Sequence, residues 1–248
     1  MHDTREGGMV HAREHGTGER PGEGTARLGL GEPARAEVEQ RRLIELPRRG
    51  AVAALHVVGV DLELRLGVDL GAGLARLDLN ARLAAPQAAA ELTGVFLADG
   101  SRHLDTHVLV DHLAVGTRSL QDYRGIAAGR GRAVFNGKAV VHPGAQQSQA
   151  RQSSRNLLLS PGAEIDTKPE LEIYADDVQC SHGATTGQLD PAALFYLRSR
   201  GLTENEARSA LTRAFAGAVL SRMDHAAFAA RVREMFDARL TRLLEEQP

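Results

Sequence analysis

The chain reads as a mainly β protein: a solenoid of short stacked strands followed by a small C-terminal α-helical domain. Three observations predict this. Apolar and polar residues alternate with a period of two through much of the chain. Gly- and Pro-containing turns cut that alternation into short pieces. The period then changes to that of amphipathic helices in the last quarter.

Composition and charge narrow the class. The 248 residues are 42% hydrophobic, with 26 Gly, nine Pro, no Trp and only 4% aromatic residues. Thirty basic residues against 32 acidic ones leave a net charge of -2, without the basic excess that phosphate contacts require. One Cys excludes a disulfide framework and any zinc or iron–sulfur site built wholly from this chain's thiolates. No apolar run approaches the roughly 20 residues that span a bilayer. The expectation is a soluble, cytoplasmic protein that binds neither nucleic acid nor membrane.

Residues 1–25 are rich in Gly, His and charge and hold nothing apolar larger than Met1, Met9 and Val10. Such a segment cannot bury enough surface to offset its ordering entropy, and it lacks the apolar core of a secretory signal. It reads as a disordered tail. Residues 26–187 form the expected β region. Leu62, Leu64 and Leu66 alternate with Asp61, Glu63 and Arg65, and the pattern returns in Ala75–Asn80 and Glu170–Tyr174. Turns fall at Gly71-Ala72-Gly73, Ala98-Asp99-Gly100, Gly129-Arg130-Gly131, Pro143-Gly144 and Pro161-Gly162. A sandwich or barrel and a solenoid both fit these signs. Sandwich cores lean on aromatics, and this region holds only Phe96, Tyr123, Phe135 and Tyr174. Stacked small aliphatics with Gly at the corners suit a solenoid better.

Residues 188–248 read as a helical domain. Asp190-Pro191 supplies an N-cap and a first-turn proline, and Gly201 stops that helix. Thr203 and Glu206 have capping-box spacing before a stripe of Ala207, Ala210, Leu211, Ala214, Phe215, Ala218 and Val219. Asp224 can cap a third helix with the stripe Phe228, Val232, Met235, Phe236, Leu240 and Leu243. Phe195, Tyr196, Phe215, Phe228 and Phe236 predict a core belonging to this module alone.

Two clusters could carry chemistry. On an extended strand His103, Asp105 and His107 share a face, each about 6.5–7 Å from the next, and could hold a divalent metal. The same spacing suits the polar face of a half-buried strand. Farther along, Val178, Cys180 and His182 share a face, so the single thiol and a His are neighbours. Both are ligand types for iron, zinc or copper. Two ligands do not close a tetrahedral site, so the rest would come from a partner chain or an exogenous thiol. A structural Cys beside a satisfied His accounts for the same spacing. The Gly125–Gly131 stretch lacks a phosphate-loop pattern and reads as a turn between rungs. Arg231, Arg233, Arg239 and Arg242 read as a solvated helix face.

The longest motifs are contiguous. They comprise Phe135-Asn136-Gly137-Lys138, the run Ala150–Ser160, the run Ile165–Val178, Cys180-Ser181-His182-Gly183-Ala184-Thr185, Gly187-Gln188-Leu189-Asp190 and the run Leu194–Gly201. Together they closely resemble the SufB/SufD family of the SUF iron–sulfur cluster assembly machinery, and its SufD-type members in particular. Matching is dense from Leu92 to Arg222, thins back to Ala51 and is absent from the first 25 residues. The resemblance implies a right-handed parallel β-helix followed by a C-terminal helical domain. It implies a non-catalytic subunit that pairs with SufB as a heterodimer and docks the SufC ATPase on its helices. Iron or a nascent cluster would be shared transiently with SufB at their interface, with nothing tightly bound. The residue tied to that role by resemblance is His182, with Cys180 a weaker candidate. SufB carries a Cys in a Gln-Cys-Asp-Ser context where this chain has Ser154, and a Glu-His-Glu context where it has Ser181-His182-Gly183. Family members are longer, so the chain is expected to start partway through the β-helix. Two other readings stand beside this one: a stand-alone metal-binding β protein using His103, Asp105 and His107, and a truncated, nonfunctional fragment.

Overall fold

The computed structural model describes residues 51–58, 61–69, 73–221 and 226–245, with side chains over 73–221 and 230–244. The expected tail at 1–25, residues 26–50, the Gly71-Ala72 part of one turn, the Asp224 cap and the Phe228 side chain lie outside this description.

Among the described residues ten strands follow one another: β1 (Ala51–Val58), β2 (Asp61–Asp69), β3 (Leu74–Leu83), β4 (Ala89–Ala98), β5 (His103–His112), β6 (Arg118–Ala127), β7 (Arg132–Val141), β8 (Gln149–Leu158), β9 (Glu164–Ile173) and β10 (Gln179–Gly187). Odd strands form one sheet in the order β1-β3-β5-β7-β9, and even strands a second in the order β10-β8-β6-β4-β2. Every pairing is parallel, so the chain alternates between two walls and climbs one rung with each pair. Leu74 lies against His103 and His103 against Arg132, a repeat of 29 positions. The expected solenoid is present.

Period-two alternation decides which side chains enter it. On β3, Ala75, Leu77 and Leu79 are buried while Arg76, Asp78 and Asn80 stay half-exposed. On β5 the buried set is Leu104, Thr106, Val108, Val110 and His112. Leu92 and Phe96 of β4 meet them from the opposite wall in one apolar cluster.

The even-stranded sheet is covered on its outer face as well. Three helices, α1 (Pro191–Ser199), α2 (Glu204–Leu220) and α3 (Ala226–Glu245), complete the described chain. Val95, Leu97, Ile126, Leu157 and Leu159 from the sheet cluster with Val219 and Leu220 of α2 and Phe236 and Leu240 of α3. This corrects the expectation of a separate helical core: the helices share theirs with the outside of the solenoid. A sheet wall apolar on both faces needs such a cover. The α2 stripe is rotated too. Thr212, Ala216 and Leu220 join Ala207 and Val219 in the buried face, whereas Ala210, Ala214 and Ala218 are exposed. With Ala on nearly every side of the helix, hydrophobicity alone does not fix the face. Phe195 and Tyr196 of α1 are exposed rather than in a core, and no residue of α1 is buried.

The caps form as expected. Asp190 accepts from the Ala192 amide, Thr203 and Glu206 close a reciprocal capping box, and Gly201 takes a left-handed φ of 98°. Polar contacts pin the helices to the corners that join even strands to odd ones. Arg239 donates to Asp99 at 2.6 Å, Arg208 donates to the Leu159 carbonyl at 2.7 Å, and the Arg124 guanidinium lies 4.9 Å from the Phe215 ring centre. Arg239 is therefore a docking residue and not part of a solvated face, because Asp99 lies under it.

Those corners stack backbone on backbone. Ala128 N donates to Ala98 O, Arg130 N to Gly100 O and Glu164 N to Gly131 O. A Cβ on Gly131 would overlap the Ala98 carbonyl, and one on Gly162 would lie 2.9 Å from the Gly129 oxygen. On the opposite flank a Cβ on Gly144 would come no closer than 3.9 Å to Leu113 O. Only the second half of the Gly125–Gly131 stretch is a turn: Gly125 belongs to β6, where a side chain would collide with Asn156 and Phe96. Among the described residues, no helix is long and apolar enough to cross a membrane.

Candidate functional site

His103, Asp105 and His107 do share the outer face of β5. The Asp105 carboxylate is already engaged there. One oxygen lies 2.8 Å from His107 Nε2, and the other accepts from Arg76 Nη1 at 2.7 Å. Arg76 also pairs with Asp78, which raises the pKa of its guanidinium. The arrangement is a charge ladder across two rungs. Among the described residues, no group of three or more His, Cys, Asp or Glu is placed to hold a metal ion.

Cys180 and His182 sit on β10, the last strand of its sheet. Their neighbours one rung back are Ala150 and Gln152. Both of those are buried in β8, while Arg151 and Arg155 are exposed. Cys180 and His182 therefore occupy the inward-facing positions of the final rung, as the shared-face reading expects. Cys180 is half-buried and packs with Ala139, Val141, Ala145 and Ala150. Burial raises its thiol pKa, only partly offset by a hydrogen bond from the Ala150 backbone. The isolated thiol is thus protonated at neutral pH. His182 is exposed at the mouth.

Beneath the mouth the interior turns polar. Gln121, Gln152, Ser154 and Asn156 are all buried. Thr167 of β9 donates to Ser154 Oγ at 2.9 Å across the two walls, and Asn156 donates to the same oxygen at 3.4 Å. Gln121 Oε1, both amide atoms of Gln152 and Asn156 Oδ1 have no partner in this structure. Ser154, aligned by resemblance with the SufB cysteine, is an interior residue. Sequence reasoning did not find this polar column, because Gln, Ser and Asn at period two look the same whether they face in or out.

His112 was also missed as an interior residue, although it keeps the same phase as Leu104 and Val108. It lies 2.9 Å from Thr117 Oγ1 and 2.8 Å from Ser119 Oγ, fully buried. Thr117 Oγ1 also donates to Ala114 O and lies 2.6 Å from Ser148 Oγ, so hydroxyl groups flank both ring nitrogens. Burial pushes its pKa down to about 4. The imidazole is a neutral brace between strand and corner.

A family model described as SUF system FeS cluster assembly, SufBD core domain, matches residues 65–215. An iron–sulfur cluster assembly SufBD family protein of Synechocystis is 40% identical over 176 residues, covering 70% of this chain and 38% of that protein. A SufBD family protein of Mycobacterium leprae is 36% identical over 176 residues, covering 67% of this chain and 45% of its own length. The iron–sulfur cluster assembly protein SufD of Escherichia coli is 37% identical over 147 residues, covering 59% and 35%. The chain thus spans less than half the length of each of these relatives.

Proposed function

The chain belongs to the SufBD family of the SUF system for iron–sulfur cluster assembly, and on that premise we propose that it serves as a SufD-type, non-catalytic subunit in the cytoplasm. In this reading the final rung, β9 and β10, meets a SufB-type partner. Cys180 and His182 at its mouth contribute ligands to iron or a nascent cluster that passes through as cargo. The helices α1, α2 and α3 offer the docking face for the SufC ATPase.

The observation that carries this reading is the position of β10. Among the described strands it ends its sheet, so one edge of its backbone faces away from β8 and can pair with another chain. That edge carries a soft sulfur ligand and an imidazole together. The two residues cannot complete a coordination sphere alone, so a partner with its own thiolate supplies what this chain lacks. SufB has a cysteine where Ser154 stands here, consistent with such a division of labour. The exposed rings of Phe195 and Tyr196 on α1, at 74% and 56%, are the apolar surface available to an ATPase partner.

Co-expression with cognate SufB and SufC, followed by iron and sulfide quantitation, tests the assignment. His182→Ala is expected to leave the complex intact and lower cluster yield at least tenfold. Unchanged yield in an intact complex would remove His182 from the site.

A further inference from the structure

We infer that Ser148 is a positioning residue for Cys180, tying the entry of β10 to a buried string of hydroxyl and imidazole groups at the corner beneath it. The inference rests on the proposed role of Cys180 as a ligand and adds the residue that fixes where its thiol sits.

Ala88, Thr117, Ser148 and Val178 each immediately precede an even strand and occupy the same corner position on successive rungs. Backbone bonds run up this column: Arg118 N donates to Ala88 O, Gln149 N to Thr117 O, and Gln179 N to Ser148 O at 3.0 Å. The last of these seats the residue just before Cys180. Thr117 and Ser148 carry the hydroxyls of the column, and the two are joined. Thr117 N donates to Ser148 Oγ at 3.1 Å, and Thr117 Oγ1 lies 2.6 Å from the same oxygen. His112 Nδ1 continues the string 2.9 Å from Thr117 Oγ1. All three side chains are fully buried, so these bonds act in a low-dielectric setting.

Apolar packing alone does not set the place of Cys180. Its neighbours Ala139, Val141, Ala145, Ala150 and Ala175 offer contact without direction. Hydrogen bonds do have direction, and those of Ser148 Oγ are made from inside the connection at 142–148. Ala145 belongs to the same connection. Whatever fixes that corner therefore fixes one side of the thiol's surroundings together with the start of the strand that carries it. Without the Ser148 hydroxyl the buried Thr117 amide loses its acceptor and the string opens at that link.

Cys180 is the only thiol of the chain, so its alkylation by iodoacetamide at one fixed pH, followed by mass spectrometry on the folded full chain, reads this site alone. Ser148→Ala and Thr117→Val are each expected to speed alkylation by about fivefold or more. Thr117→Ser keeps the hydroxyl and is expected to stay within about twofold of the parent. Ser160→Ala is the matched control. Ser160 Oγ accepts from Gly129 N at 2.9 Å in a corner on the opposite flank, and its loss is expected to leave Cys180 unchanged. Parental rates in Ser148→Ala and Thr117→Val overturn the inference, and so does an equal acceleration in Ser160→Ala. Amide hydrogen exchange of the parent tests it without any variant: the Gln179 amide is expected to be protected to within about tenfold of the Thr117 amide, and weaker protection overturns the inference. Neither readout needs a cluster or a partner. If Cys180→Ala leaves cluster yield unchanged in the intact complex while alkylation follows Ser148, the functional reading fails and the positioning stands.

Discussion

The inside of the solenoid is two different materials along one axis. In the rungs of β3, β4 and β5 it is aliphatic, with Leu79, Leu92, Leu104 and Val108 buried in one cluster. Between β6 and β10 the even-strand wall instead turns polar at Gln121, Gln152, Ser154 and Asn156, ending at Cys180 and His182. The wall geometry hardly changes between the two ends, since register is kept throughout both. Parallel pairing supplies the architecture, and the inward side chains decide whether a rung contributes stability or chemistry. Tyr123 marks the changeover, its ring packed 4.5 Å from Phe135 and its buried hydroxyl without a partner.

Mutations can break or sharpen that contrast. The largest effect is expected at the changeover itself. Phe135 is 3% exposed and contacts both Tyr123 and Phe96, so Phe135→Ala should cost about 3–5 kcal/mol in denaturant melts. A loss below about 1 kcal/mol would mean that the apolar cluster to which Phe135 belongs is not where stability resides.

His112 is a buried titratable residue in the apolar half, and it is expected to act through pH. Its folded-state pKa is lowered to about 4 from 6.5, so between those values the unfolded chain binds the extra proton. Stability is then complete above pH 6.5 and declines by about 3 kcal/mol as the pH falls to 4. Chemical melts at stepped pH check this. His112→Gln should flatten that part of the profile, and an unaltered slope would clear His112 of the effect.

The smallest effect is expected at the polar end. Replacing Gln152 by Met removes two unpaired buried polar atoms, so stability should move by less than about 1 kcal/mol in either direction. A loss as large as that of Phe135→Ala would make Gln152 a structural brace and erase the contrast.

Much of this was legible beforehand, and what was not has physical causes. The alternation Ala75–Asn80 revealed a strand with one buried face because its two faces differ in chemistry. The caps at Asp190 and Thr203 were readable because they are local hydrogen bonds between near neighbours. The pairing of Cys180 with His182 followed from strand period alone. The polar interior did not, because Ser154 and Ser153 are the same residue type on opposite faces. Nor did the docked face of α2, since Ala216 and Ala214 differ only in which side meets the sheet. The Arg239–Asp99 contact joins residues 140 positions apart, beyond any local pattern.

The corner seam has a consequence for how such a chain can change in length. From β3 onward, connections on that flank hold four residues at 99–102, four at 128–131 and five at 159–163, while the other flank runs from five at 113–117 to seven at 142–148. Where a glycine lies directly under a neighbouring carbonyl, as Gly131 does under Ala98, an added residue has no space to occupy. The turn at Pro143-Gly144 has slack, so insertions, tags or grafted loops belong there rather than in the glycine seam opposite.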